Sequence, residues 1–316
     1  MSSRFIRNST ESPNLLKRLL GHLPLPLKRH TLYLRKFKRW GNFRTPVLFS
    51  EKMQWRIIND RRDRLRYTCD KLASKELAIT LAAKENLTLH VANVIAFHET
   101  GDQMLGTLQE LSGRGALPER WVLKPNASSS RALLIDGAPD WELLRTTLRA
   151  WSQQSKFTGS GLHWIWPYAT AREGFLAEEW VGTGATPPIE ISGCMIGGAL
   201  AFWTVQRWDS DGLRRNHYNA RGELVPGWNS VPGAKLDIDA PESLIQEVLP
   251  YLRALSAGWD FIRVDLYYEA DKVWLGELTP YLSEGLEASK NAKEFDIAVG
   301  KLWRLPSLES VREGNP

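Results

Sequence analysis

Two carboxylates and an arginine near the C-terminal end of the sequence carry its clearest chemical signal. Arg263-Val264-Asp265 sets two charges two residues apart, and on a strand that spacing puts both on one face. Their neighbours Phe261, Ile262, Val264 and Leu266 are apolar, so charge here is costly unless it has a partner. Glu277 follows in Gly276-Glu277-Leu278-Thr279. An antiparallel hairpin about Glu269-Ala270-Asp271 brings Asp265 and Glu277 side by side. Two carboxylates that close repel unless a cation or a proton lies between them. Such oxygen ligands suit Mg²⁺, which takes one or two carboxylates and completes its shell with phosphate oxygens. Arg263 would then face the phosphate being transferred. The alternative is an Arg–Asp–Glu ion-pair ladder across two strands.

A second group is Trp121-Val122-Leu123-Lys124-Pro125 followed by Asn126-Ala127-Ser128-Ser129-Ser130. A buried strand ending in Lys124 delivers one ammonium to a fixed point. The small residues after it let backbone N–H groups and hydroxyls wrap phosphate oxygens, although the same residues also make a plain turn. A third is Phe175-Leu176-Ala177-Glu178-Glu179-Trp180-Val181. A strand with this acidic tip offers a carboxylate and backbone groups to an adenine edge, and an edge strand with solvated glutamates looks the same. No Gly-Lys-Ser/Thr phosphate loop and no dinucleotide glycine fingerprint is present.

These side chains need elements to hold them. Strands are expected at 89–97, 121–124, 132–135, 175–181, 189–196, 199–207, 223–228, 261–268 and 272–278, and helices at 14–22, 27–39, from Ser50 as N-cap, 71–84 capped by Asp70, 141–151 and 244–255. Residues 1–12 are polar and expected to fray. In the helix at 27–39, Leu27, Thr31, Leu34 and Phe37 or Lys38 mark one face, and Lys28, Arg29, Arg35, Lys36 and Arg39 crowd the others. Strands and helices are mixed with many hairpin-like neighbours, so the class is α+β. Arg207, Arg214 and Arg215 fall in an expected loop before Asn216-His217-Tyr218. That loop is a candidate for a substrate carboxylate, or a solvated surface loop. His217 would assist amine deprotonation or serve as a hydrogen-bonded structural residue.

At 316 residues the chain is long enough for one large domain or two modest ones. Its two cysteines, Cys69 and Cys194, lie far apart and fit a reduced chain better than a disulfide framework. No apolar run is long enough to span a bilayer, and Lys17 and Arg18 interrupt the only apolar stretch near the N-terminus, so a signal peptide is not expected. Charge is uneven: residues 1–68 carry +13 and the remainder −8. The basic segment, residues 14–44 above all, therefore suits an anionic partner, either a membrane surface or an acidic glycan. A nucleic-acid footprint is similar in charge, but no nucleic-acid-reading motif accompanies it, and that partner is not expected.

Taken in order, Asp70-Lys71, Lys124 with its loop, Glu178-Glu179-Trp180-Val181, then Arg263-x-Asp265 and Glu277 resemble the ATP-grasp superfamily. The closer resemblance is to the TupA-like ATP-grasp family of teichuronopeptide biosynthesis. It rests also on Phe49-Ser50-Glu51-Lys52-Met53-Gln54-Trp55-Arg56, Cys69-Asp70-Lys71, Gly276-Glu277-Leu278-Thr279 and Gly285-Leu286-Glu287, and spans roughly residues 45–305. The resemblance implies two α+β lobes with antiparallel sheets clamping ATP, preceded by a basic helical segment. The expected boundaries are 1–68 for that segment, 69–181 for the lobe with the phosphate loop and 182–316 for the lobe with the metal site. It implies Lys71 and Lys124 on ATP phosphates, Ser128, Ser129 and Ser130 as the covering loop, Glu178, Glu179, Trp180 and Val181 along the adenine, and Glu190 near the ribose. Arg263 would hold the transferred phosphoryl group, and Asp265 and Glu277 would bind Mg²⁺. Apart from the resemblance, Arg215 of the candidate carboxylate loop is expected beside Arg263 and Lys124 as a catalytic residue. The chain departs from the pattern at Thr279, where an Asn ligand is usual, and at Ser192, where a Lys is usual. Thr279 would offer its hydroxyl to the metal.

The reaction implied is ADP-forming ligation, with a carboxylate activated as an acyl phosphate and captured by an amine. The implied acceptor is a uronic acid or similar building block of a surface polysaccharide, and the expected setting is cytoplasmic, at the inner face of the membrane. The alternatives are an ATP-grasp kinase acting on a sugar hydroxyl and a non-catalytic module that binds nucleotide or glycan.

Overall fold

The computed structural model describes residues 4–8, 23–128, 131–153, 165–184, 187–209, 212–225, 241–286 and 292–312. The chain divides into two compact units. Unit 1 comprises residues 1–22, 69–72 and 92–181, and unit 2 comprises 23–68, 73–91 and 182–316. Each has its own antiparallel five-stranded sheet, and the α+β class is as expected.

Unit 1 contains β1 (Arg4–Asn8), β2 (Val94–His98), β3 (Arg120–Pro125), β4 (Arg131–Asp136) and β5 (Phe175–Glu179), in the order β1-β4-β3-β5-β2. Alternation sets the face of each side chain. Trp121 and Leu123 of β3 are fully buried and meet Leu133, Ile135, Phe175 and Ala177 in one core. Two helices supply the other half of that core: α5 (Gly101–Gly113), capped by Thr100, and α6 (Trp141–Gln153). In α6, Leu144, Leu148 and Trp151 recur at helical spacing and are buried, as one apolar stripe requires. The short α7 (Trp166–Thr170) completes the unit.

Unit 2 contains β6 (Ile189–Ile196), β7 (Ala199–Asp209), β8 (Gly212–Asn219), β9 (Phe261–Glu269) and β10 (Lys272–Thr279), in the order β10-β9-β6-β7-β8. Its helices are α1 (Leu25–Phe37), α2 (Phe49–Asn59), α3 (Arg64–Cys69, whose last residue falls in unit 1), α8 (Pro241–Leu255) and α9 (Ala292–Leu302). Helix α4 (Lys71–Lys84) begins in unit 1 and continues in unit 2. One face of the sheet is apolar. Val264, Leu266, Ile191, Trp203 and Val205 are fully buried there, with Val248, Leu252 and Leu255 of α8. Gly193 lets α8 approach, since a Cβ there would stand 2.6 Å from Leu252.

Several expectations need correction. Residues 4–8 do not fray but pair with β4 as an edge strand. The helix expected at 14–22 lies outside the described residues. The N-cap of α2 is Leu48 rather than Ser50. Ser50 is the second residue of the helix, where its N–H and hydroxyl both donate to Asp296 at 2.6 and 2.7 Å. In α1 the buried side chains are Arg29 and Tyr33, whereas Leu27 and Leu34 are exposed. Arg207, Arg214 and Arg215, read as loop residues, lie instead on strands, Arg207 near the end of β7 and paired with Arg214 of β8. The strand expected at 223–228 reduces to a single bridge from Leu224 to Tyr218, with 226–228 outside the described residues. Cys69 and Cys194 are both buried, and neither is in a disulfide.

Candidate functional site

The second face of the unit 2 sheet is polar, and its residues stand in register. Glu277, Asp265, Ser192, Thr204 and His217 form one row across β10, β9, β6, β7 and β8. Tyr267, Glu190, Gln206 and Arg215 form the row beside it, and Thr279, Arg263 and Cys194 the row on the other side. A bulge at Gly276 makes this alignment. Leu275 pairs with Leu266, yet Glu277 pairs with Asp265, so two residues of β10 oppose one of β9. A regular ladder would have set Glu277 opposite Val264, on the apolar face. Glycine is required there because a Cβ would meet the Asp265 carbonyl oxygen at 2.9 Å.

Arg263 joins the row through its Nη2, which donates to Asp265 Oδ2 at 2.6 Å and to Thr279 Oγ1 at 3.3 Å and lies 3.7 Å from Glu277 Oε2. Asp265 is 3% exposed, and its Oδ1 has no hydrogen-bond partner among the described residues. Burial pushes the Asp265 carboxyl above the usual range; Arg263 draws it back, and Glu277 adds to the rise. Burial alone would weaken the charge of Arg263, but Asp265 and Glu277 outweigh it and hold the guanidinium ionised. Glu190 is pushed up to about 7, first by burial and then by Asp265. His217 is pushed down to about 4 by burial, with Arg215 adding to the effect. Its Nδ1 hydrogen-bonds the Thr204 hydroxyl at 2.7 Å. A neutral, hydrogen-bonded imidazole of such low basicity fits the structural role weighed for it rather than that of a base.

The unpaired buried oxygen on Asp265 answers whether a cation suits this place. A carboxylate oxygen with no donor, beside Glu277 and the Thr279 hydroxyl, is a vacant acceptor set for a hard cation. Among the described residues no three or more His, Cys, Asp or Glu side chains converge. Two carboxylates and a hydroxyl are the donor set of an ion that takes most of its ligands from water or phosphate, as Mg²⁺ does.

Unit 1 gathers another set. Lys124, on the sheet face opposite Leu123, makes an ion pair with Glu178. Lys71, at the start of α4, donates to the backbone carbonyls of Asn126 and Ser128, so the loop after β3 is tied to that lysine. Asp70 caps α4 through the N–H of Leu72 at 3.0 Å and also accepts from the N–H of Arg172. Glu179 accepts from Asn93 Nδ2 at 2.9 Å. The Trp180 N–H donates to the Arg120 carbonyl, and Val181 is half-buried. Ser129 and Ser130 lie outside the described residues, as does Glu287.

Unit 1 thus ties Lys71 to Ser128 and Lys124 to Glu178, whereas Glu179 lies on the other face of β5 and bonds Asn93. Arg263, Asp265, Glu277, Thr279, Glu190 and Arg215 share one sheet face in unit 2. Sequence reasoning missed Gly276, Thr204 and Gln206. It also missed the clamp that Arg29 and Gln54 place on the turn after β10. Both donate to the Glu284 carbonyl, at 3.0 and 2.7 Å, and Arg29 also pairs with the Glu284 carboxylate at 2.8 Å. That turn holds Ser283 and Glu284 at positive φ, a conformation that needs such support. The bulge had a readable signal: Val273, Leu275 and Leu278 are the apolar residues of β10, and their spacing changes from two to three at Gly276.

The stretch from β7 to α9 is similar to the TupA-like ATP-grasp family, whose model matches residues 202–304. No curated protein matches the chain. Among solved structures it resembles D-alanine–D-alanine ligase from Bacillus anthracis at 16% identity and a TM-score of 0.40, covering 75% of this chain and 65% of that one. It resembles the Helicobacter pylori enzyme of that name at 14% identity and a TM-score of 0.42, covering 82% and 68%. An L-amino acid ligase from Bacillus licheniformis gives 16% identity and a TM-score of 0.39, covering 93% and 60%. The chain thus spans about two thirds of the length of these proteins.

Proposed function

We propose that the protein is an ATP-dependent carboxylate–amine ligase that joins an amine to a carboxylate through an acyl phosphate. The observation that carries the reading is the row of Arg263, Asp265, Glu277 and Thr279, which lies in the family-matched segment. In this reading Asp265 and Glu277, with the Thr279 hydroxyl, hold Mg²⁺. The ion supplies charge neutralisation to the ATP phosphates. Lys71 and Lys124 bind those phosphates, and Ser128, Ser129 and Ser130 cover them. Glu178, Glu179, Trp180 and Val181 line the adenine, and Glu190 meets the ribose. Lys124 exchanges its contact with Glu178 for a phosphate oxygen. Arg263 releases part of its hold on Asp265 and turns its guanidinium to the transferred phosphoryl group. Arg215, in the row beside Asp265, receives the substrate carboxylate. Positioning and fixed positive charge supply most of the rate in such transfers.

The carboxylate substrate in this proposal is a uronic acid or a similar building block of a surface polysaccharide. The setting is the cytoplasmic face of the membrane. Among the described residues no helix is long and apolar enough to cross a bilayer, so contact would be peripheral. The exposure of Leu27, Leu34 and Trp40 beside exposed Arg35, Lys36 and Lys38 supports that contact. Flotation with anionic vesicles, comparing the protein with its Arg35→Glu/Lys36→Glu variant, tests it; equal flotation of the two refutes it.

The reaction is tested by ADP release from purified protein offered uronic acids and amino acids singly and in pairs. Release that needs both a carboxylate and an amine is expected. Release with a sugar hydroxyl alone would make the protein a kinase, and none with any acceptor would leave a binding module.

A further inference from the structure

Unit 1 contains a cavity of about 600 Å³ on the side of its sheet away from Lys124. Strand alternation puts Leu123 and Pro125 on that side. The start of α5, the last turns of α6 and the beginning of β4 and β5 enclose it. Its floor is apolar, with Leu105, Leu148, Trp151 and Phe175 all buried.

The polar groups of the cavity are distributed unevenly. Arg131 lines it and is half-buried, and its guanidinium has no charged or hydrogen-bonding partner among the described residues. Burial works against its charge, since the guanidinium pKa is lowered by desolvation alone. The indole N–H of Trp151, a residue 4% exposed, also has no hydrogen-bond partner among the described residues. Arg145 and Arg149, one turn apart on α6, stand exposed at the mouth, as do the acidic Glu99, Asp102 and Glu173. The mouth is therefore mixed in charge, and among the described residues the inner charge is the cation of Arg131. A half-buried guanidinium without a counter-charge and a buried donor without an acceptor both lack the same thing, an oxyanion. The apolar floor adds room for an organic body.

We propose that this cavity is a second ligand site, which takes a small organic oxyanion, a carboxylate or a phosphate ester. Its charged end meets Arg131, and its apolar or aromatic body rests on Leu148, Trp151 and Phe175. The site is separate from the nucleotide residues of the proposed function. Among the described residues only Ser128 belongs to both, through the loop after β3.

Calorimetric titration of the full chain at constant ionic strength tests this, with phenyl phosphate, benzoate and inorganic phosphate as probes. Saturable binding of one equivalent is expected, with phenyl phosphate or benzoate tighter than inorganic phosphate because only they reach the apolar floor. Whether the ester or the carboxylate binds more tightly tells the two sources apart. Arg131→Gln should weaken the organic anions by about tenfold or more. Arg149→Glu, on the exposed helix surface, should weaken them severalfold and decides the matter if Arg131→Gln does not fold. Absence of saturable binding, or equal affinity in both folded variants, would overturn the proposal. So would displacement of phenyl phosphate by Mg-ATP at the affinity of ATP itself. If the protein binds no ATP, the ligase reading fails while this titration still gives its own answer.

Discussion

Asp265→Asn separates the two chemical readings of the unit 2 row, because it removes a charge and leaves the shape unchanged. In the protein without metal, Asp265 is 3% exposed and bonded to Arg263 at 2.6 Å. Breaking a buried ion pair from one side typically costs about 3–5 kcal/mol. Here Arg263 keeps Thr279 at 3.3 Å and Glu277 at 3.7 Å, and the Asn oxygen still accepts a hydrogen bond. The expected loss of stability is therefore smaller, about 1–3 kcal/mol. The second effect is on ligand linkage. At a hundredfold excess over Kd, a ligand stabilises the folded state by about 2.7 kcal/mol. A variant bound tenfold more weakly keeps about half of that. Urea unfolding with and without Mg-ATP, beside ADP release, reads both quantities. The expected result is lower stability, a Mg-ATP increment cut by half or more, and ADP release reduced by at least about a hundredfold, which is about 2.7 kcal/mol of transition-state stabilisation. A variant that loses stability yet keeps the whole Mg-ATP increment and its ADP release would show Asp265 to be an ion-pair partner only, and the metal reading would fall.

Three further outcomes are expected. Arg56→Met should cost about 3–5 kcal/mol in urea unfolding, because Arg56 is fully buried, bonds Asp260 and the carbonyls of Phe261 and Pro280, and lies over Trp303. A loss under about 1 kcal/mol would contradict that network. His217 is protonated in the unfolded chain below its ordinary value of 6.5 but in the folded one only near 4. Its contribution is therefore present above pH 6.5 and is lost as pH falls towards 4, up to about 3 kcal/mol. His217→Gln should flatten stability between those limits, and an unchanged slope would count against the shift. Gly193→Ala should cost about 1–3 kcal/mol through its clash with Leu252. Adding Leu252→Val should recover part of that loss in a double-mutant cycle, whereas strict additivity would deny the contact.

Much of the fold was legible because its strands announce themselves by apolar runs and alternation. β6 is bounded as the pattern of 189–196 requires, and β9 and β10 meet about the expected turn. β8 was not legible because Gly212-Leu213-Arg214-Arg215-Asn216-His217-Tyr218-Asn219 carries too few apolar residues to look buried. Only the partnership with β7 makes it a strand. The basic segment was misleading in a different way. Its charge suggested an anionic partner outside the chain, yet Arg29 and Arg56 are fully buried with acidic and carbonyl partners from distant residues of the same chain, a pairing that composition cannot foresee. The nearness of Asp265 and Glu277 was visible in the sequence, while the one-residue slip that puts them on the same face rests on backbone geometry.

That slip also determines how far the carboxylate pair can travel. Anyone transplanting Asp265 and Glu277 onto another hairpin by copying the two acids and the loop length would build them facing opposite sides of a regular ribbon. The smallest portable unit is Arg263-x-Asp265 on one strand with Leu275-Gly276-Glu277-Leu278-Thr279 on the other. The glycine creates the irregularity, and Leu278, 1% exposed, pins the new phase to the core. For the same reason, relatives of this chain are better sought by an apolar residue, glycine, glutamate and apolar residue in succession than by the distance between two acids.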